Sequence, residues 1–191
     1  MDALTVIEWA NLGPDQQARL LQRPAMAGPG IGAEVAEIIR RVRDGGDAAL
    51  AALTAELDGV APPQFELGPD ELQAALDAAS AELVAAIRDA GERIRAFHAA
   101  DLPRDRTIET APGLICEVRY QALSPVGLYI PGGSAPLVST VLMLAIPAQL
   151  AGCEEVILCS PPGHDGRIAP EILAAARLCG VSRLFCAGGA Q

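Results

Sequence analysis

The chain has 191 residues, 51% of them hydrophobic and only 3% aromatic. That is long enough for one domain or one and a half, and apolar enough to exclude a disordered chain. The formal net charge is −10 and there is no lysine, so all 14 basic residues are arginine. Such a chain is a poor partner for nucleic acid or anionic membranes, and it excludes a Schiff-base or P-loop lysine.

The N-terminus lacks a basic segment followed by a long apolar one, so no signal peptide is read there. The longest apolar stretch, 137–151, contains Ser139, Thr140, Pro147 and Gln149 and falls short of the roughly 20 residues a membrane span needs. The expectation is a soluble, cytoplasmic protein. Residues 1–30 read as an arm: a short helix after Pro14, then a stretch broken by Pro24, Gly28, Pro29 and Gly30.

From Ala33 the helical period is clear, with Val35, Ile38, Ile39 and Val42 on one face. Gly45 and Gly46 end that helix, and Arg40, Arg41 and Arg43 suit its C-terminal dipole. A second helix carries Leu50, Leu53 and Leu57, with Asp47 as its cap. Pro69 opens a third with Leu72 and Leu76. Ser80 caps a fourth, whose stripe runs Leu83, Ile87, Ala90, Ile94 and Phe97. Segments 108–111 and 114–121 flank Pro112-Gly113, and the alternation in the second predicts a β-hairpin.

The region after Leu123 is the most informative. Segments 126–130, 156–160 and 183–187 read as short buried strands, and 135–151 and 168–178 as helices between them. The strand starts are 30 and 27 residues apart, the length of a βαβ unit, twice over. Right-handed crossovers place the three strands parallel in one sheet. The fold class is therefore α/β: an N-terminal helical region (31–122, with the hairpin) followed by an incomplete Rossmann-like βαβαβ unit (123–191). A three-stranded parallel sheet leaves an edge and apolar surface uncovered. Either further chain or oligomerisation is expected to cover them.

Ligands of open α/β sheets bind beyond the carboxyl ends of the strands. The loops there contain Gly132-Gly133 and Gly188-Gly189. On pattern alone these are first of all tight βα turns, with close backbone approach to an anionic ligand as the alternative. The dinucleotide fingerprint is missing, since the second strand ends in Ser160-Pro161-Pro162 with no acidic residue. His98 reads as a packing residue at a helix end. His164-Asp165 is a candidate acid–base or metal pair that turn chemistry explains more simply. The five cysteines (116, 153, 159, 179, 186) form no C-x-x-C pair and read as reduced thiols in an apolar core.

Val126-Gly-Leu-Tyr-Ile-Pro-Gly-Gly-Ser-Ala-Pro-Leu137 closely resembles histidinol dehydrogenase, as do Ser139–Ala148, Ala151–Pro162, Ile172–Ala176 and Gly188-Gly-Ala-Gln191. Asp44-Gly-Gly-Asp47 and Arg95-Ala-Phe-His98 look like the family too, so the resemblance covers essentially the whole chain. It implies a zinc-dependent homodimeric enzyme that oxidises L-histidinol to L-histidine with two NAD⁺ in succession, the last step of histidine biosynthesis. The tyrosine of Gly-Leu-Tyr and the glutamine of Gly-Gly-Ala-Gln contact NAD in the family; here these are Tyr129 and Gln191. The zinc ligands and the Glu-His acid–base pair would lie outside this chain, so the isolated chain is expected to be inactive. Two rivals are a fragment of a related zinc-dependent dehydrogenase of another small alcohol, such as a sulfonate diol, and a truncated, non-catalytic binding module.

Overall fold

The computed structural model describes residues 7–22, 30–132 and 135–188. The chain divides into two compact units, Met1–Glu37 and Ile38–Gln191.

In the first unit a single 3₁₀ turn, Trp9–Asn11, precedes helix α1, Pro14–Leu21. Pro14 occupies the first helical position, where its missing N–H costs nothing. The Gln16 side chain reaches back to accept from the Gly13 N–H (3.1 Å), and Gln17 donates to the Leu12 carbonyl (3.2 Å). Local polar contacts thus define this short helix, and it buries no residue.

Helix α2 is assigned over Ile31–Asp58, but Gly46 breaks it with φ 55° and ψ −144°. That conformation is open to glycine and closed to residues with a Cβ. Arg41 pairs with Glu56 at 3.2 Å. Fifteen residues along a straight helix would span about 22 Å, so the chain reverses at Gly46. The break lies where the two glycines predict it, and the second segment buries Leu53 and Thr54. Strand β1 (Glu66–Leu67), helix α3 (Pro69–Ala78) and helix α4 (Ala81–Ala100) follow. Ser80 Oγ accepts from the Leu83 N–H at 3.1 Å, so the predicted cap is formed. Phe97 departs from expectation: it belongs to the periodic stripe yet is exposed, edge-on to His98.

Strands β2 (Arg106–Ala111) and β3 (Leu114–Val118) form the expected hairpin. Every residue of both strands is exposed. The alternation therefore encodes pairing without a buried face.

The core is the strand–helix alternation β4 (Val126–Tyr129), α5 (Val138–Leu150), β5 (Val156–Ser160), α6 (Pro170–Leu178) and β6 (Arg183–Cys186). These three strands start where the sequence predicts. They are parallel and adjacent, with Leu128, Leu158 and Leu184 side by side. Those three share a face with Ile130, Ser160 and Cys186, because alternate residues point the same way. Leu158, Leu184 and Ile130 are fully buried and join Val141, Ala145, Ile172 and Ala176 in one cluster. Helix α4 packs on α5 and α3 on α6, so the helices form a second layer outside the first.

One strand escapes the sequence reading. β1 pairs antiparallel with β6, giving the order β1-β6-β5-β4. The Cys186 N–H donates to the Phe65 carbonyl at 2.7 Å, extending this pairing. The outer edge of β6 is thus covered by the chain's own residues. The other face of the sheet carries Tyr129, Cys159 and Phe185 in one row, with Gly127, Ile157 and Arg183 in the next. Arg183 lies 5.3 Å from the Phe185 ring centroid and donates to Glu66 (2.7 Å) and Glu155 (3.1 Å). Among the described residues no helix is long and apolar enough to cross a membrane.

Candidate functional site

Parallel strands send all their carboxyl ends to one edge of the sheet. Here β4 leads into Tyr129–Gly132, β5 into Ser160–Gly163 and β6 into Ala187–Gly188. Hydrogen bonding carries the ladder to this edge, since the Ile130 N–H donates to the Cys159 carbonyl at 2.8 Å. Tyr129 is the last residue of β4 and is 39% exposed, so its phenol is accessible. A pocket of about 160 Å³ opens at the same edge, between the loops after β4 and β5, and Tyr129 is not among its lining residues. Pro131, Gly132 and Leu137 form one side, Ser160, Pro161 and Gly163 the other. It lies before the first turn of α5, whose opening residues include no acid. Free N–H groups and a positive dipole end make such a position suited to an anionic group.

Two glycines shape this edge. A Cβ on Gly132 would stand 2.6 Å from Pro161 Cγ. A Cβ on Gly188 would overlap Pro161 Cβ and come within 3.2 Å of Asp58 Oδ1. Asp58 closes α2, and its Oδ2 is buried without a hydrogen-bond partner among the described residues. Desolvation raises its carboxyl above the ordinary carboxylate range. Neither Asp58 nor Pro161 is singled out by the sequence. Asp58 looks like an ordinary helix-terminal acid before a turn, and its neighbour Gly188 is 130 residues away.

His164 and Asp165 lie in the loop after β5, and both are exposed. Asp165 Oδ1 accepts from the Arg167 N–H (3.0 Å), while Gly163 and Arg167 close the loop at 2.8 Å. Asp165 thus serves the turn. His98 belongs to the last turn of α4, beside Phe97. Cys179 and Cys186 are buried, as their apolar neighbours suggest, whereas Cys116 is exposed on the hairpin. No cluster of three His, Cys, Asp or Glu side chains that could hold a metal occurs among the described residues.

The histidinol dehydrogenase family model matches residues 21–191. This chain belongs to the histidinol dehydrogenase family. It is 49% identical over 192 residues to histidinol dehydrogenase of Xylella fastidiosa strain Temecula1, covering 98% of this chain and 44% of that protein. The Vibrio parahaemolyticus histidinol dehydrogenase is 46% identical over 189 residues, with 98% and 43% covered. The crystal structure of histidinol dehydrogenase from Elizabethkingia anophelis superposes with a TM-score of 0.84 at 39% identity, over 95% of this chain and 42% of that one. The chain thus spans less than half the length of these histidinol dehydrogenases.

Of the two residues that the family resemblance assigns to cofactor contact, Tyr129 lies at the carboxyl edge of the sheet. Gln191 is outside the described residues, three positions after Gly188.

Proposed function

We propose that this chain is the N-terminal portion of an NAD-dependent, zinc-dependent histidinol dehydrogenase, and that it supplies one wall of the NAD site. The complete protein would oxidise L-histidinol to L-histidine in two successive steps, as a homodimer in the cytoplasm. On this reading residues 1–30 are an arm, 31–122 a helical region and 123–191 an incomplete Rossmann-like nucleotide domain.

The observation that carries the cofactor assignment is the placement of Tyr129. An accessible phenol ends a strand of a parallel sheet, at the edge where a pocket free of acidic side chains opens between the loops after β4 and β5. A phenol both packs against a flat ring and hydrogen-bonds. Gln191 follows β6 in sequence, and its amide both donates and accepts. NAD, when bound, takes up the hydride from the alcohol carbon. The part of this chain is to bind and orient. The described residues do not fit a zinc site.

Two measurements test the reading. NAD⁺ titrated into the 191-residue chain should bind, and Tyr129→Ala should weaken binding about tenfold, the equivalent of one lost contact of roughly 1.4 kcal/mol. Unchanged binding removes the assignment. Histidinol added with NAD⁺ to the same chain should give no NADH, and turnover would refute the claim that the catalytic groups lie elsewhere.

A further inference from the structure

We propose that Pro161 is a positioning residue. Its ring is the spacer that fixes the distance between the loop after β4 and the loop after β6, and positions 132 and 188 are glycine because that ring fills the room their side chains would need. This rests on the cofactor reading above, because the two loops follow Tyr129 and precede Gln191.

The geometry is specific at the level of single carbons. Gly132 faces the far end of the ring: its Cβ would meet Cγ at 2.6 Å, while ring Cβ is 3.6 Å away. Gly188 faces the near end, where its Cβ would overlap Pro161 Cβ and reach Cα at 3.1 Å. One proline therefore touches both flanking loops through different atoms. The Asp58 carboxylate lies 3.2 Å from the same point, so a Gly188 side chain would crowd it as well. Proline suits the role, because a closed ring has no rotamers to adopt and its φ is fixed. The spacer directly follows β5, the strand between the other two, and so transmits the width of the sheet to the loops beyond it.

A size-swap series in the full 191-residue chain tests this. Gly132→Ala and Gly188→Ala should each weaken NAD⁺ binding about tenfold or more, the scale of a misplacement of about 1 Å. Pro161→Ala removes Cγ and keeps Cβ, so it should restore Gly132→Ala to within a few-fold of wild type and leave Gly188→Ala impaired. Pro161→Gly removes both atoms and should restore either. Amide exchange of Ile130 and Cys186, whose N–H groups donate to Cys159 (2.8 Å) and Phe65 (2.7 Å) beside the two glycines, reads the same pattern without cofactor. Faster exchange in the alanine variants, with the same selective rescue, supports the spacer. Effects that add with no rescue overturn it, as does Gly188→Ala behaving like wild type. If Gly188→Ala does not fold, recovery of the fold in Pro161→Gly/Gly188→Ala supports the spacer and failure to recover overturns it. If wild type binds no NAD⁺ while the exchange pattern holds, the cofactor reading fails and the spacer stands.

Discussion

The two buried thiols are the groups whose ionisation the fold disturbs most, and Asp58 is shifted as well. Burial pushes the Cys179 thiol up to about 11, against the attraction of Arg95. Burial, helped by Asp58 and Asp165, pushes Cys186 to about 11 as well. An unfolded thiol titrates near 8.5, so the folded chain favours the neutral form. Stability from this source is complete below that pH and is lost as pH rises toward 11. Thermal melts between pH 8 and 11 should show a falling midpoint, with a smaller fall in Cys179→Ala than in wild type relative to their pH 8 values. An equal fall would mean that the thiols do not report on folding. Asp58 also has a raised value, from desolvation. Its neutral form suits the fold, so stability is highest below the ordinary carboxylate range and declines as pH rises through the folded value. Asp58→Asn should therefore raise the melting midpoint at pH 7 and lose that advantage near pH 3, provided Oδ2 has no partner. A lower midpoint at pH 7 would show that the carboxylate is held by a donor.

At the scale of elements, what was legible in the sequence follows from how local each signal is. The strand starts at 126, 156 and 183 come from continuous apolar runs, which only buried parallel strands of that length explain well. Ser80 was legible as a cap because its side chain bonds three residues ahead. Ser80→Ala should destabilise the chain by about 1 kcal/mol, measured by urea unfolding, and Ser80→Asp should cost little. Loss of nothing in the alanine variant would mean that α4 is held by packing on α5 alone. β1 was not legible, because two residues carry no period and its pairing partner is 117 residues away. Phe97 fits its helix stripe yet is exposed, because periodicity marks a face and not what covers it. The link among α4, α5 and α6 was hidden for a similar reason. Gln149 accepts from Arg95 (2.9 Å) and donates to the Cys179 carbonyl, which joins three helices through one amide. As for the candidate site, Tyr129 was legible through its motif, whereas Pro161 and Asp58 act through contacts that exist only in three dimensions.

Across the whole molecule, stability is concentrated rather than shared. Most of the buried side chains gather around β4, β5, β6, α5 and α6, with Leu53 and Thr54 of α2 and Leu72 of α3 besides, and the hairpin 106–118 buries none of its residues. A two-stranded ribbon without a covered face is marginal by itself in water. Opening it therefore costs little, whereas opening β5 requires exposing Leu158 and with it the core. Native-state hydrogen exchange should rank the segments accordingly, with amides of 157–160 and 184–186 exchanging only on global unfolding and those of 106–118 exchanging orders of magnitude faster. Leu158→Ala should lower global stability by about 2–5 kcal/mol, the usual cost of a fully buried leucine, and slow-exchanging amides should lose protection by the same amount. Ile115→Ala, on the exposed hairpin, should change global stability by less than about 0.5 kcal/mol. If Ile115→Ala instead matched Leu158→Ala, the hairpin would be packed in solution against something that covers it, and the division between a stable sheet and a loosely held ribbon would not hold.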